Sequence, residues 1–192
     1  MVLLWNTNEF CKMSIISSYR ASTRITMLNE LRRATLEDLP EIIKIYNEAI
    51  KDGISTADSK VVSVEDKLEW FNSHDSLHPI LVKEYHGRII AWISLQPFYA
   101  NLMAYRHSAR INIYIDKNFQ GKKLGQQFLS EAIDQAKGYN IKTLLALIFS
   151  ENAPSLKLFK KLGFKEWGNL NRVANIEGVD KDLLILGLRI QE

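Results

Sequence analysis

Apolar and polar positions alternate with different periods between residues 30 and 190, and each change of period marks an element. Residues 30–34 read as a short strand. Thr35 follows as a helix cap, with Asp38 three positions on as its acidic capping partner. Leu39, Ile42, Ile43, Tyr46, Ala49 and Ile50 recur at helical spacing and build one apolar face, and Gly53 ends that helical region. Ser63 reads as the cap of a second helix carrying Val64, Leu68, Trp70 and Phe71. Residues 80–85 and 88–95 form the two strands of a hairpin about His86 and Gly87, closed by Pro97.

The pattern sharpens after residue 108. Ala109, Ile111, Ile113 and Ile115 point one way while Arg110, Asn112, Tyr114 and Asp116 point the other, which predicts a strand over 109–116. A helix is predicted from about Lys122 to Lys137, with Leu124, Phe128, Leu129, Ala132, Ile133 and Ala136 on its buried face and Gly138 as its C-cap. Residues 143–149 (TLLALIF) are nearly all apolar, as in a strand covered on both faces. Asn152 caps a short helix with Pro154 in its first turn, Leu156, Leu158, Phe159 and Leu162 along it, and Gly163 at its end. Two more strands are predicted near 164–167 and 182–190. No internal repeat, linker or low-complexity tract interrupts this order.

Residues 111–125 (INIYIDKNFQGKKLG) are the stretch around which the rest is organised. A strand runs straight into a glycine-bearing basic turn, and an amphipathic helix follows. Such a turn offers free backbone N–H groups and a helix N-terminus to an anion. Composition narrows the context. A chain of 192 residues fits one domain, at roughly 100–200 residues per domain. A content of 46% hydrophobic and 24% charged residues describes an ordinary globular protein, and a net charge of +3 lacks the dense basic patch of a nucleic-acid binder. The single Cys11 excludes an internal disulfide and a multi-Cys zinc site, and suits the cytoplasm. His74, His78, His86 and His107 show no H-E-x-x-H spacing, so no metal is expected. No apolar run approaches the roughly 18 residues of a membrane span. Residues 1–26 are acid-poor and carry Arg20 and Arg24. They read as a poorly ordered extension, as an organelle-targeting segment, or as sequence upstream of an initiator at Met27. The folded domain is expected over 27–192.

Three local signatures carry a family likeness. They are Gln120-Gly121-Lys122-Lys123-Leu124-Gly125 after the central strand, Asn152-Ala153-Pro154-Ser155-Leu156 after the next strand, and Phe159-Lys160-Lys161-Leu162-Gly163-Phe164. With the order of elements, they resemble the GNAT (GCN5-related N-acetyltransferase) superfamily. Further pieces are similar to its phosphinothricin and methionine sulfoximine acetyltransferase branch: Leu31-Arg32-Arg33-Ala34-Thr35, Ile45-Tyr46-Asn47-Glu48-Ala49-Ile50, Pro97-Phe98-Tyr99, Ile113-Tyr114-Ile115 and Trp167-Gly168. The resemblance implies an α/β fold with a mixed central sheet of about six or seven strands, a splayed central strand pair and about four flanking helices. It also implies acetyl-CoA as co-substrate, a small amino-acid-like amine as acceptor, and a homodimer.

Carried over residue by residue, the resemblance puts the cofactor's pyrophosphate on Gln120, Gly121, Lys122, Lys123, Leu124 and Gly125. It puts the pantetheine arm along Ile113, Tyr114 and Ile115, with further contacts at Asn152, which also reads as a helix cap, and Ser155. Acceptor contacts are expected at Ala100, Asn101 and Leu102 of the aromatic loop 98–106, and at Arg110, Ile111 and Asn112. The chain also departs from the branch. Lys123 replaces a motif glycine and is strained if that position needs φ > 0. Arg110 stands where the branch has Glu. Arginine cannot be a general base, but it suits an acidic acceptor group. Phe159 replaces the leaving-group acid, and reads as core or as a cofactor-packing ring. Remaining proton-transfer candidates are Glu151, Tyr114, His107 and Tyr105. The expected function is N-acetylation of a small amine that attacks already neutral. The departures support an alternative, a non-catalytic acyl-CoA-binding or regulatory protein. An acetyltransferase for protein N-termini or lysines needs an open groove, against which the aromatic loop argues.

Overall fold

The structure is a computed structural model and describes residues 31–99 and 102–192. The extension over 1–26, Glu30, Ala100 and Asn101 lie outside the described residues. The chain opens with β1 (Arg32–Arg33), and Thr35 and Asp38 form the expected capping box around a tight 3-10 turn, Leu36–Asp38, that leads into α1 (Leu39–Ile50). Arg32 Nη1 donates to Asp38 Oδ2 at 2.7 Å, tying β1 to the start of α1. Ser63 and Asp66 exchange reciprocal capping bonds ahead of α2 (Leu68–Asn72). The hairpin β2 (Ile80–Tyr85) and β3 (Arg88–Pro97) turns through His86 and Gly87 at φ 50° and 72°. Then come β4 (Ser108–Ile115), α3 (Leu124–Gly138), β5 (Thr143–Phe149), α4 (Ala153–Lys161), β6 (Lys165–Ile176) and β7 (Val179–Arg189).

The seven strands form one sheet in the order β1-β2-β3-β4-β5-β7-β6. Only β4 and β5 among these neighbours run parallel. Alternation along β3 and β4 divides the core in two. Ala91, Ile93, Leu95, Ala109 and Ile111 face α3 and α4, where Phe128, Leu129, Ala132 and Phe159 pack on them. Trp92 on the other face meets Ile42 and Ile45 of α1, with Tyr46, Trp70 and Tyr114 against it.

Besides shifts of one or two residues at the ends of β3 and β4, four differences from the sequence reading stand out. Among the described residues the first strand is regular only over Arg32–Arg33, with one further bond from Ala34 N–H to Ile80 O at 2.8 Å. α3 starts at Leu124 instead of Lys122, because Lys123 takes a left-handed φ of 62° that a continuous helix cannot accommodate. Gly138 is the last helical residue, and the reversal falls on Asn140 at φ 60°, a residue whose short polar side chain tolerates that region. The last two strands extend far beyond the predicted stretches and meet at a turn through Glu177 and Gly178 at φ 50° and 84°. Residues of β6 are mostly exposed on both faces, so no apolar alternation marks them. The ladder and polar ties such as Asn175 Nδ2 to Asp180 Oδ1 at 2.7 Å hold the ribbon instead.

Candidate active site

The sheet opens at its middle. β4 stays paired with β3 as far as Ile115, and β5 stays paired with β7 as far as Phe149. Yet β4 and β5 pair only from Ser108 with Thr143 to Arg110 with Leu145. Beyond that point the strands splay, as the resemblance implies. Asp116 N–H donates to Ile90 O and Phe98 N–H to Ser108 O, so even-numbered peptide groups of β4 face β3. The peptide groups of Ile111, Ile113 and Ile115 therefore face the gap. Gln120 Nε2 takes up Ile115 O at 2.9 Å, while Ile113 N–H points at a missing strand. A cavity of about 310 Å³ fills the gap, walled by Ile113, Tyr114, Leu147, Phe149, Asn152, Ser155 and Phe159 among others.

The turn at the mouth of this gap is built by Asp116, which is 1% exposed. Its Oδ1 accepts from Asn118 N at 2.8 Å and its Oδ2 from Arg88 Nη2 at 2.5 Å. Gly121 (φ 72°) and Lys123 (φ 62°) are both left-handed, and among the described residues no protein acceptor takes their N–H groups or that of Lys122. The first N–H groups of α3, at Leu124 and Gly125, are free by helix geometry. Together they form a concave set of donors suited to an anion. Gly125 lets α3 approach closely: a Cβ there would sit 3.0 Å from Ile115 Cδ1 and 3.4 Å from Leu158 Cδ2. Lys122 Nζ donates to Asn118 O at 2.7 Å and lies over the Phe119 ring. Asn152 caps α4 through Oδ1, which accepts from Ser155 N at 3.1 Å. Its Nδ2 donates to Ile54 O at 3.3 Å and so holds the loop over 51–62.

A second cavity, about 190 Å³, lies on the other face of β4. Its floor is Trp92, Ser94 and Gln96 of β3 with Arg110, Asn112 and Tyr114 of β4, and Tyr46, Lys67 and Trp70 wall it. Asn112 and Tyr114 line both cavities, so β4 is the partition between them. Tyr114 Oη donates to Ser55 O at 3.3 Å, and burial pushes its phenol up to about 12. Burial likewise raises Tyr46, whose Oη donates to Asp58 Oδ2 at 2.7 Å. Burial opposes ionisation of Asp58, but hydrogen bonds from Tyr46 and Lys67 outweigh it and hold the carboxyl below its usual range. Near neutrality the cavity thus presents protonated phenols.

The expected site residues fall into distinct groups. Ile113, Tyr114, Asn152 and Ser155 line the gap, and Gln120, Gly121, Lys122, Lys123, Leu124 and Gly125 form the turn at its mouth. Ile115 packs on the core beside Gly125. Arg110 and Asn112 line the smaller cavity, whereas the Ile111 side chain, 1% exposed, is in the core and touches only the gap. Leu102 is exposed and lines neither cavity; Ala100 and Asn101 lie outside the described residues. Glu151 is exposed and paired with Lys181 at 2.8 Å, His107 Nδ1 meets Asn140 O at 2.8 Å, and Tyr105 clusters with Phe98 and Tyr99. None of these three lines either cavity. Phe159 is both core and gap wall, edge-on to Phe164. Sequence reasoning missed Tyr46, Lys67, Trp70, Trp92, Ser94 and Gln96 as one wall. The available signal was the polar side of β3, where Ser94 and Gln96 alternate with buried Ile93 and Leu95.

A sheet split between parallel strands, with an anion-binding turn at one end and a second cavity across the strand, defines a scaffold for group transfer between two bound molecules. Residues 39–164, more than half of the chain, match the model of the acetyltransferase (GNAT) family. The chain belongs to that family. It is 43% identical over 158 residues to the provisionally named phosphinothricin acetyltransferase YwnH of Bacillus subtilis (strain 168), covering 82% of this chain and 96% of that protein. It is 28% identical over 163 residues to the L-methionine sulfoximine/L-methionine sulfone acetyltransferase of Salmonella typhimurium (strain LT2), covering 84% and 95%. The solved structure of yncA from Salmonella typhimurium with its cofactor acetyl-CoA superimposes with a TM-score of 0.78 at 28% identity, covering 86% of this chain and 95% of that one. The seven-stranded mixed sheet, its splay and the four flanking helices agree with the architecture the resemblance implied. Among the described residues no helix is long and apolar enough to cross a membrane, and no three His, Cys, Asp or Glu side chains form a metal-binding group.

Proposed function

We propose that this chain is an acetyl-CoA-dependent N-acetyltransferase acting on the amino group of a small amino-acid-like acceptor. The observation that carries the proposal is the gap between β4 and β5, with Ile113 N–H facing it and the donor-lined turn at its mouth. These groups fit acetyl-CoA. Gly121, Lys122, Lys123, Leu124 and Gly125 offer backbone donors for a diphosphate, and Lys123 adds charge. The gap is wide enough for an extended amide-bearing arm that hydrogen-bonds as a strand does. Ser155 and Asn152 border that arm from α4. The relatives named for phosphinothricin and methionine sulfoximine support an acceptor of amino-acid size, which a cavity of about 190 Å³ matches.

When bound, acetyl-CoA supplies an acyl group activated as a thioester. The chain's residues do the remaining work. Ile113 N–H is the donor positioned to polarise the acyl carbonyl. Asn112 and Tyr114, shared by both cavities, set the approach of the amine. Tyr114 keeps its proton across the neutral range; it passes that proton to the sulfur as the C–S bond breaks and takes up in return the proton that the attacking nitrogen loses. Among the described residues no side chain of the smaller cavity is a free carboxylate or imidazole; the amine therefore enters neutral, and proximity supplies much of the rate. The proposal includes residues 27–192 as the catalytic domain. A cytoplasmic location rests on the single Cys11, and a homodimer on the family likeness.

Thiol release on mixing acetyl-CoA with amines, including phosphinothricin and methionine sulfoximine, tests the reading. Release matched by an equal amount of acetylated amine is expected. The lack of a base lining either cavity favours a second reading, a non-catalytic acyl-CoA-binding protein. Tight acetyl-CoA binding without release for any amine supports that one instead.

A further inference from the structure

The acceptor cavity has an uncompensated positive pole. Arg110 Nη2 donates to the neutral Gln96 Oε1 at 3.0 Å. Its Nε is enclosed with no partner, and among the described residues no acceptor takes Nη1 and no carboxylate lies within ion-pair distance. A guanidinium carries five N–H donors in a fixed fork that matches a carboxylate, and this one is mostly unfilled. The neighbouring indole N–H of Trp92, 3% exposed overall, also lacks an acceptor. The second cation of the cavity, Lys67, is answered by Asp58 at 3.0 Å. Among the described residues no acidic side chain lines the cavity. Holding a half-buried guanidinium without a counter-charge is unfavourable in a folded protein unless an incoming group supplies one.

Resting on the acetyltransferase reading, we infer that Arg110 is the specificity-determining anchor for the acceptor's carboxylate. The acceptor is therefore a free amino acid, with its carboxylate at Arg110 and its amino group directed toward Asn112 and Tyr114 at the partition. Tyr46, Trp70 and Trp92 give its side chain an uncharged aromatic wall. The uncompensated charge of Arg110 disfavours polycationic acceptors such as polyamines and aminoglycosides.

The test reads acceptor binding and does not depend on turnover. Trp70 and Trp92 line the cavity, so ligand entry changes intrinsic fluorescence. L-methionine, L-methionine sulfoximine, L-phenylalanine and the methyl ester of each are titrated into the full chain saturated with coenzyme A. At least one free acid is expected to bind about 30-fold more tightly than its ester, as befits a charge-assisted pair. In Arg110→Met that preference falls to about twofold or less, while Arg110→Lys keeps an intermediate preference. A parallel acetyl-CoA titration of each variant reports on folding and on the underlying acetyltransferase reading. Failure to bind acetyl-CoA in the unsubstituted protein overturns that reading alone. Equal binding of acid and ester, binding of no acid in the panel, or an undiminished preference in Arg110→Met overturns the anchor.

Discussion

Tyr114 stacks on Trp92 across the β3–β4 ladder, with ring centroids 4.5 Å apart and planes inclined by 25°. The stack holds the Tyr114 ring at the partition, where its hydroxyl reaches Ser55 O. Tyr114→Phe keeps the stack and removes only the proton and one weak hydrogen bond. We expect kcat to fall about 100-fold, with stability lower by about 1 kcal/mol and acetyl-CoA affinity unchanged within about threefold. Steady-state kinetics beside a thermal melt separate these effects. An unchanged kcat removes Tyr114 as proton donor.

The pH profile follows from the same geometry. Tyr46 and Tyr114 stay protonated and Asp58 stays ionised through neutrality. With no cavity base titrating, kcat/KM is expected to rise about tenfold per pH unit, until the free amine's own pKa is passed. A profile already flat above pH 6 contradicts direct attack by a neutral amine.

Lys123 separates charge from conformation at the turn proposed to hold the diphosphate. Its left-handed φ of 62° is the region glycine occupies without steric cost. Lys123→Gly is expected to raise stability by about 1 kcal/mol and to weaken acetyl-CoA no more than about threefold. Lys123→Ala removes the charge and keeps the strain, so it loses affinity without gaining stability. Chemical denaturation and calorimetry read both quantities.

Lys83 is 2% exposed on β2, and its ammonium meets Glu131 Oε2 at 2.6 Å beside the Phe128 ring. Removing one partner strands a buried charge; removing the charge from the interior does not. Glu131→Ala is expected to cost about 3 kcal/mol, whereas Lys83→Met is near neutral or stabilising. A loss in Lys83→Met as large as that in Glu131→Ala shows instead that the pair itself stabilises the fold.

Acid stability depends on Asp38. The Arg32 hydrogen bond, opposed by burial and aided by Thr35 N–H, holds its carboxyl below the usual range. A depressed folded pKa means that the folded state binds fewer protons. The resulting stabilisation is complete above the unfolded value of about 3.9 and is lost as pH falls through the lower folded value. Asp38→Asn should therefore lower Tm at pH 7 and flatten the decline of Tm below about pH 4. Melts across pH 2–7 check this, and a parallel decline in both proteins counts against it.

Local chemistry made much of this fold readable. Thr35 with Asp38, Ser63 with Asp66, and Asn152 with Ser155 are caps written in adjacent residues, and the reversal at His86 and Gly87 is a two-residue turn. The turn before α3 was readable for the same reason, since Gly121 to Gly125 are contiguous. The smaller cavity was not, because Tyr46, Lys67, Trp92 and Arg110 come from two helical segments and two strands that meet only through long-range packing. The long β6–β7 ribbon was hidden too, because the exposed faces of β6 leave no apolar period, and Glu177 with Gly178 is a weak turn signal. The aromatic loop 98–106 reads from sequence equally as a packed surface loop or as an acceptor-pocket wall. Tyr99 and Tyr105 pack on each other, 5.0 Å between centroids, and line neither cavity.

The central claim is that acetyl-CoA occupies the gap between β4 and β5. Calorimetric titration of the full chain and of Ser155→Trp, which fills the gap from the first turn of α4, tests it most directly. One acetyl-CoA per chain is expected, bound at least about 30-fold more weakly by Ser155→Trp at an unchanged melting temperature. Equal affinity in the two proteins, or no binding by the unsubstituted chain, would contradict it.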